Sequence, residues 1–338
     1  MDIGIISSGY KIFGRVTIEY ILNKLAVITS NLGVNIMLVN WLKDIIVKII
    51  KRNDIENKKN IKRLFLEEKN LENNGKGITD VKYFDEEVIV SLTTYSIRVN
   101  TVHLVIESLF QQIIKANRII LWLDENEFKE IKDLPFALTR MQERGLEIKF
   151  YKNIKSYKKL IPTLKEYPNQ IIITVDDDIM YPVDFIEKLL NNYKKNSRRI
   201  YYYRGYSIQY TKEKILPYRN WINKESNNLL LNFPTGVGGV LYPPNCFHSD
   251  VLNEEKFMNL CPKGDDIWFK VMSLLNNIEC KKVYTDNFGE RFLPIDSTQK
   301  IALWIANVQN GENDIQIENV FKEYKIIDKL NSISEKEK

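Results

Sequence analysis

From Val88 onward the chain alternates short apolar runs with segments of helical periodicity, and one of those runs ends in three consecutive aspartates. Val88-Ile-Val-Ser-Leu92 presents almost no polar face, as a strand covered on both sides requires. Val102, Val105, Ile106, Leu109, Phe110 and Ile113 then fall on one face of a helix. Residues 118–123 read as a second strand that ends at Asp124. Residues 127–144 are expected to be helical, with Gly145 as the cap, and 146–151 as a third strand. Residues 156–167 carry a helix or an irregular turn. Ile171-Ile-Ile-Thr-Val175 is a fourth strand, and it runs directly into Asp176, Asp177 and Asp178. This order predicts an α/β fold with a mostly parallel central sheet and helices on both faces. Ligands of such sheets bind at the carboxyl ends of the strands, so the chemistry is expected just after Leu92, Leu123 and Val175.

Beyond Met180 the pattern is less regular. Residues 185–193 read as a helix, 199–203 as a strand, and 236–241 as a further strand closed by Pro243 and Pro244. Residues 265–275 have a helical apolar face of Ile267, Trp268, Val271, Met272 and Leu275. Helix is expected again from Gln299. The first eighty residues differ. Val34, Leu38, Trp41, Leu42, Ile45, Ile46 and Ile49 recur at helical spacing, and Lys51, Arg52, Lys58, Lys59, Lys62 and Arg63 follow. Such a segment either packs on the main domain with a solvated charged end, or lies on an anionic membrane surface. Residues 71–80, with Asn73, Asn74, Gly75 and Gly77, read as a linker. The expected organisation is a helical N-terminal extension and linker over 1–80, the main α/β domain over 81–330, and a flexible tail over 331–338.

Composition narrows the function classes. With 338 residues, 44% hydrophobic and 28% charged, the chain can bury a core of ordinary size. Cys246, Cys261 and Cys280 are odd in number and lack C-x-x-C spacing, which excludes a zinc knuckle and a disulfide framework. A reducing cytoplasm suits them. There is no secretory leader pattern, and the most apolar stretch, residues 33–50, is interrupted by Asn40, Lys43, Asp44 and Lys48. The expected location is cytoplasmic, with peripheral contact at the inner face of the cytoplasmic membrane as the further option. The basic residues near the N-terminus have no interleaved aromatics, so no nucleic-acid partner is expected.

Three adjacent carboxylates at a strand end raise one another's pKa unless positive charge sits among them. A divalent cation supplies it, and hard oxygen ligands suit Mn2+ or Mg2+, which shares its remaining positions with phosphate oxygens and water. If the strand continues through the triplet, Asp176 and Asp178 face the same way and Asp177 the other. The competing structural role is a helix cap or acidic turn before Met180, Tyr181 and Pro182.

These residues carry a resemblance. Thr174-Val-Asp-Asp-Asp-Ile179 resembles the aspartate motif of GT-A fold glycosyltransferases. Val90-Ser-Leu-Thr-Thr-Tyr95 resembles their first nucleotide-binding strand and loop, Phe233-Pro-Thr-Gly-Val-Gly-Gly-Val-Leu-Tyr-Pro-Pro244 their acceptor-side glycine segment, and Gly264-Asp-Asp-Ile-Trp268 the acidic pair that opens the catalytic helix. Together, over residues 87–325, they resemble nucleotide-sugar-dependent glycosyltransferases of bacterial surface polysaccharide assembly, capsular or lipopolysaccharide. The resemblance implies a GT-A (Rossmann-like) fold and a metal-dependent hexosyl- or N-acetylhexosaminyltransferase. Its partners would be a nucleotide-sugar donor and a saccharide or lipid-linked saccharide acceptor. It implies Asp178 as metal ligand, with Asp176 near the ribose or sharing the metal. Thr93, Tyr95, Arg98 and Asp124, with Asp176 and Asp177, become candidates for nucleotide contacts.

Asp265 and Asp266 follow Gly264 at a helix start, where acids also serve simply as caps. The resemblance makes Asp266 the general base that deprotonates the acceptor hydroxyl, with Asp265 as cap or acceptor contact. A single displacement would invert the anomeric centre. His248 is a candidate third metal ligand whose ordinary role is structural. The series Tyr201, Tyr202, Tyr203, Tyr206 and Tyr210 is available for sugar stacking or for packing. Two rival functions remain: a sugar nucleotidyltransferase, which normally has a glycine-rich loop where this chain has Ser91-Leu-Thr-Thr-Tyr-Ser-Ile-Arg98, and a catalytically inactive nucleotide-sugar-binding scaffold.

Overall fold

A computed structural model describes residues 36–295 and 311–336, and the chain divides into two units, 1–61 and 62–338. The second unit is built on a sheet of seven strands: β1 (Val88–Thr93), β2 (Arg118–Asp124), β3 (Leu146–Tyr151), β4 (Ile171–Thr174), β6 (Ile200–Tyr202), β9 (Val240–Tyr242) and β10 (Cys280–Lys282). Short strands β5 (Ile179–Met180) and β11 (Leu293–Pro294) pair with each other, as do β7 (Gly205–Ser207) and β8 (Asn232–Pro234). The order in the main sheet is β10-β6-β9-β4-β1-β2-β3. Strands β1 to β4 are mutually parallel, and β9 is antiparallel to both β4 and β6. The α/β reading with a mostly parallel sheet is borne out.

Consecutive residues of a strand point to opposite faces, so a strand buried without interruption must be covered on both. Strands β1 and β4 are of this kind. Ser91 and Trp122 reach Thr163, in the helix Ile161–Glu166, on one face of the sheet (2.7 Å each). The helix Val102–Phe110 is buried over nearly its whole length. Its Glu107 is fully buried and makes two hydrogen bonds with the Arg144 guanidinium, at 2.7 and 3.0 Å.

Three expected elements differ from the structure. Residues 127–144 do not form one helix. Two 3-10 turns, Ile131–Asp133 and Arg140–Arg144, flank a four-residue helix, Phe136–Thr139, because Pro135 cannot continue a helix from its N-terminal side. Residues 236–241 do not form one strand: Gly236–Gly238 is a 3-10 turn, Gly239 has φ +78°, and only then does β9 begin. Residues 331–336 of the expected tail belong to the helix Ile326–Lys336.

The helix Ile36–Glu72 includes the expected basic run, but the apolar face from Val34 to Ile49 lies outside the residues whose side chains are described. Lys62 departs from a solvated role. Its ammonium donates to the carbonyls of Met180 and Tyr181 (3.0 and 2.7 Å), and burial, with Arg291 adding repulsion, lowers it to about 7. No described helix is long and apolar enough to cross a membrane.

Candidate functional site

The chain leaves β1 for β2 and β3 on one side, then returns to place β4 on the other side of β1. Such a reversal opens a crevice at the carboxyl ends of the two strands. Parallel register sets Ser91 beside Thr174, so Thr94 and Asp177 each lie three residues further on at the same edge. There the Thr94 hydroxyl donates to Asp177 Oδ2 (2.7 Å). Arg98, in the 3-10 turn Ser96–Asn100, crosses the same gap. Its Nη1 lies 2.6 Å from Asp177 Oδ1 and 3.4 Å from Asp178 Oδ2, and all three side chains are buried. The Tyr95 ring covers this guanidinium at 5.2 Å.

Strand alternation does not extend through the triplet. β4 stops at Thr174, and a turn sends the carboxylates in different directions. Asp176 Oδ1 lies 3.1 Å from Lys159 Nζ, while Asp177 and Asp178 turn to Arg98. The backbone N–H of Asp176 donates to the buried Tyr181 hydroxyl (2.9 Å).

The second acidic pair meets the first through Lys159. Asp265 Oδ2 is 2.9 Å from Lys159 Nζ, and Asp265 Oδ1 accepts from the Ser156 hydroxyl (2.8 Å). Asp265 is therefore not the helix cap. It is the first residue of the helix Asp265–Leu275, Gly264 holds the cap position, and the carboxylate is turned away to Ser156 and Lys159. Asp266 Oδ2 accepts from the Gly236 N–H (3.1 Å). A Cβ on Gly236 would lie 2.6 Å from Lys159 Nζ, 3.1 Å from Asp176 Oδ1 and 3.4 Å from Asp266 Oδ1, so only a glycine admits this convergence without displacement.

The electrostatics follow from the packing. Burial alone would lower the Lys159 ammonium, but Asp176, Asp265 and Asp266 outweigh it and hold it well above the ordinary lysine range. Burial, then the charges of Asp176 and Asp177, push the Asp178 carboxyl up to about 7. Burial and Asp265 push Asp266 up to about 7, against the pull of Lys159. Asp177 is also raised by burial, with Arg98 opposing.

Other expected contacts go elsewhere. Thr93 donates its hydroxyl to the Trp122 carbonyl (2.8 Å). Asp124 accepts from the Asn126 N–H (2.9 Å) and lies 3.6 Å from Lys158 Nζ. His248 caps the turn Ser249–Leu252, its Nδ1 accepting from the Asp250 N–H (3.2 Å), which is the structural role. Tyr201, Tyr202 and Tyr203 are buried packing residues, whereas Tyr206 and Tyr210 are partly exposed. Lys159, Ser156 and Thr94 were not singled out in the sequence. The available signal was a Lys-Lys pair lodged between Tyr157 and Leu160, in the segment leading to β4. A separate open cleft of about 890 Å3, lined by Lys82, Phe84, Glu86, Tyr193 and Lys194 among others, contains none of these groups.

The site also bears on metal binding. Among the described residues, no three His, Cys, Asp or Glu side chains form a ready-made metal cage. The donor set nevertheless fits a hard cation. Asp176, Asp177, Asp178, Asp265 and Asp266 offer only carboxylate oxygens, and Arg98 and Lys159 offset two of those five charges. An octahedral Mg2+ or Mn2+ needs only one or two protein carboxylates when phosphate and water complete its shell.

No protein-family model matches the sequence, and no curated protein matches it. Some solved structures are loosely similar in fold. The mannosyltransferase PcManGT from Pyrobaculum calidifontis, solved with GDP-Man and Mn2+, is 10% identical over 71% of this chain and 66% of its own, with a TM-score of 0.40. The match thus spans just under two thirds of that protein. Residues 1–349 of S. aureus TarS are 12% identical over 70% of this chain and 72% of that one, with a TM-score of 0.42. A CMP:2-keto-3-deoxy-manno-octonic acid synthetase complexed with CTP is 12% identical over 66% of this chain and 99% of its own, with a TM-score of 0.36. All three scores lie below 0.5, and nothing about function rests on them.

Proposed function

We propose that this chain is a nucleotide-sugar-dependent glycosyltransferase of GT-A type, which moves a hexosyl or N-acetylhexosaminyl group to a saccharide or lipid-linked saccharide in bacterial surface polysaccharide assembly. One observation carries the reading: Lys159 and the Gly236 N–H draw the triplet Asp176–Asp178 and the pair Asp265–Asp266 together at the carboxyl end of a parallel sheet, beside its switch point. Asp178, with Asp176, would hold Mn2+ or Mg2+, whose charge offsets that gathering on the departing nucleoside diphosphate. Arg98 and Thr94 fix Asp177 and Asp178 at the edge of that position, and Tyr95 screens the guanidinium from water.

Asp266 takes the proton from the acceptor hydroxyl. As that proton leaves, the hydroxyl oxygen bonds to the anomeric carbon, and the carbon–oxygen bond to the diphosphate breaks. A single displacement inverts the centre. A carboxylate lifted to about 7 is well matched to base catalysis near neutrality, because it is ionised there and still a useful proton acceptor.

The test is a screen of UDP-, GDP- and dTDP-sugars for Mn2+-dependent thermal stabilisation, followed by transfer assays on the wild type and Asp266→Asn. Transfer should rise with pH through about 7. The variant should keep donor binding and lose transfer by roughly a hundredfold or more. A product with retained anomeric configuration contradicts the displacement scheme. Release of pyrophosphate from a nucleoside triphosphate and a sugar phosphate would make the chain a nucleotidyltransferase instead.

A further inference from the structure

Without a bound cation the five aspartates leave the centre of the site net acidic, and Arg204 is joined to it through the backbone. Arg204 follows β6 and precedes β7. Its carbonyl accepts from the Thr235 N–H (2.9 Å) and the Thr235 hydroxyl (3.1 Å). The next residue, Gly236, is the one whose N–H holds Asp266. Two backbone steps therefore separate Arg204 from the proposed base. Its side chain is only half-buried and makes no ion pair among the described residues. Its Nη2 donates to the Tyr206 hydroxyl (3.0 Å), with the guanidinium carbon 5.6 Å from that ring's centre.

Two aromatic rings complete the arrangement. Tyr206 meets Tyr218 edge-on at 5.4 Å, and Tyr218 rests on Phe233 at 5.9 Å, which register pairs with Tyr206. Both tyrosines are partly exposed. Burial raises the Tyr218 hydroxyl well above its ordinary range, with Tyr206 and Asp266 adding to it and Arg204 opposing. A planar guanidinium anchored by a hydroxyl keeps other N–H donors for an oxyanion, and such charge-assisted contacts are strong and directional. Aromatic rings beside it present apolar faces with polar tips, the combination that suits a sugar's C–H face and hydroxyls.

We propose that Arg204, Tyr206 and Tyr218 form an acceptor subsite beside Asp266 that takes a saccharide bearing an oxyanion, either a carboxylate or a phosphate. This deepens the glycosyltransferase reading, since it names the acceptor class, and it rests on that reading for the word acceptor. The guanidinium lowers the cost of bringing a negative sugar to a carboxylate-lined site and so favours it over a neutral one.

Binding is measured on the full-length protein with methyl β-glucuronide, glucose 6-phosphate and methyl β-glucoside, by calorimetry or saturation-transfer NMR. At least one charged sugar should bind about tenfold or more tightly than the glucoside, as expected for a hydrogen-bonded charge. Arg204→Gln should abolish that preference, and Arg204→Lys, which keeps the charge but loses the fork, should keep part of it. Which of the two charged sugars binds more tightly assigns the oxyanion as carboxylate or phosphate. The inference fails if neither charged sugar binds at tens of millimolar, if the glucoside binds equally well, or if the preference survives Arg204→Gln. A parallel titration of the wild type with nucleotide sugars and Mn2+ separates the two levels. Charged-sugar binding without nucleotide-sugar binding sinks the transferase reading and leaves the oxyanion site standing, whereas the reverse sinks the subsite alone.

Discussion

Lys159 is the residue on which the two acidic sets depend, because its ammonium is the positive charge between Asp176 and Asp265. Lys159→Met removes that charge and leaves the carboxylates facing one another. Breaking a buried pair from one side costs roughly 3–5 kcal/mol, so the melting temperature should fall sharply. Added Mn2+ should restore part of the loss if the aspartates accept a cation; a variant that melts like the wild type without metal would show that the pairs contribute nothing. Asp178 makes the opposite prediction. Its carboxyl is raised to about 7, so the folded state holds a proton that the unfolded state has already lost above pH 4. Its contribution to stability therefore falls as pH rises from about 4 through 7. Asp178→Asn removes that penalty and should raise the metal-free melting temperature by a few degrees at pH 8, with little change at pH 4. A lower melting temperature at pH 8 would mean that Arg98 binds Asp178 more strongly than burial opposes it. The aspartates themselves were legible in the sequence because they are contiguous and follow an apolar strand. Arg98 was legible only as a nucleotide contact. Its partner Asp177 lies 79 residues away, and ion pairs of that span leave no local pattern.

At the scale of elements, the segment before β9 decides whether the site is assembled. Gly239 has φ +78° and ψ 143°, a region that almost only glycine occupies, and a Cβ there would lie 2.5 Å from the Phe185 ring. Gly239→Ala should therefore destabilise the fold by roughly 1–3 kcal/mol or more, seen as a lower denaturation midpoint. Gly236 differs. Its φ is ordinary, and the first atom a methyl would meet is the mobile end of Lys159. Gly236→Ala should melt within a few degrees of the wild type, because the end of a flexible lysine can shift without giving up its carboxylates, but should weaken nucleotide-sugar binding or transfer, because the same methyl crowds Asp176 and Asp266. Equal losses of stability in both variants would contradict this division. The sequence placed the glycines in a strand, as tight packing or a bulge, within a segment that resembles an acceptor-side glycine motif. It did not show that they form a turn, because positive φ is not written in the periodicity. The broken helix at 131–144 has a related cause: Phe128, Ile131, Leu134, Leu138 and Met141 keep helical spacing across Pro135, and spacing alone does not register a single helix-breaking residue.

Across the whole molecule, the alternation of strands and helices along the chain was the most legible feature. Apolar strands that alternate with helical segments can hardly close except as a parallel sheet, and two of the three carboxyl ends expected to carry the chemistry, those after Leu92 and Val175, are the ends at which Thr94, Arg98 and Asp177 meet. The antiparallel insertion of β9 between β4 and β6 was not legible, since β9 is only three residues long and its pairing is set by tertiary contacts. That insertion nevertheless matters most for function: it places Val240 beside Thr174, and so brings the glycine turn and Asp266 to the aspartate triplet. The most direct measurement is a calorimetric titration of the wild type and Asp178→Asn with UDP, GDP and dTDP, each with and without Mn2+. The wild type should bind one of the three at least tenfold more tightly with Mn2+, and Asp178→Asn should lose that enhancement while remaining folded. Metal-dependent affinity that is the same in both proteins would remove Asp178 from the site, and no nucleotide binding under any of these conditions would contradict the proposed function.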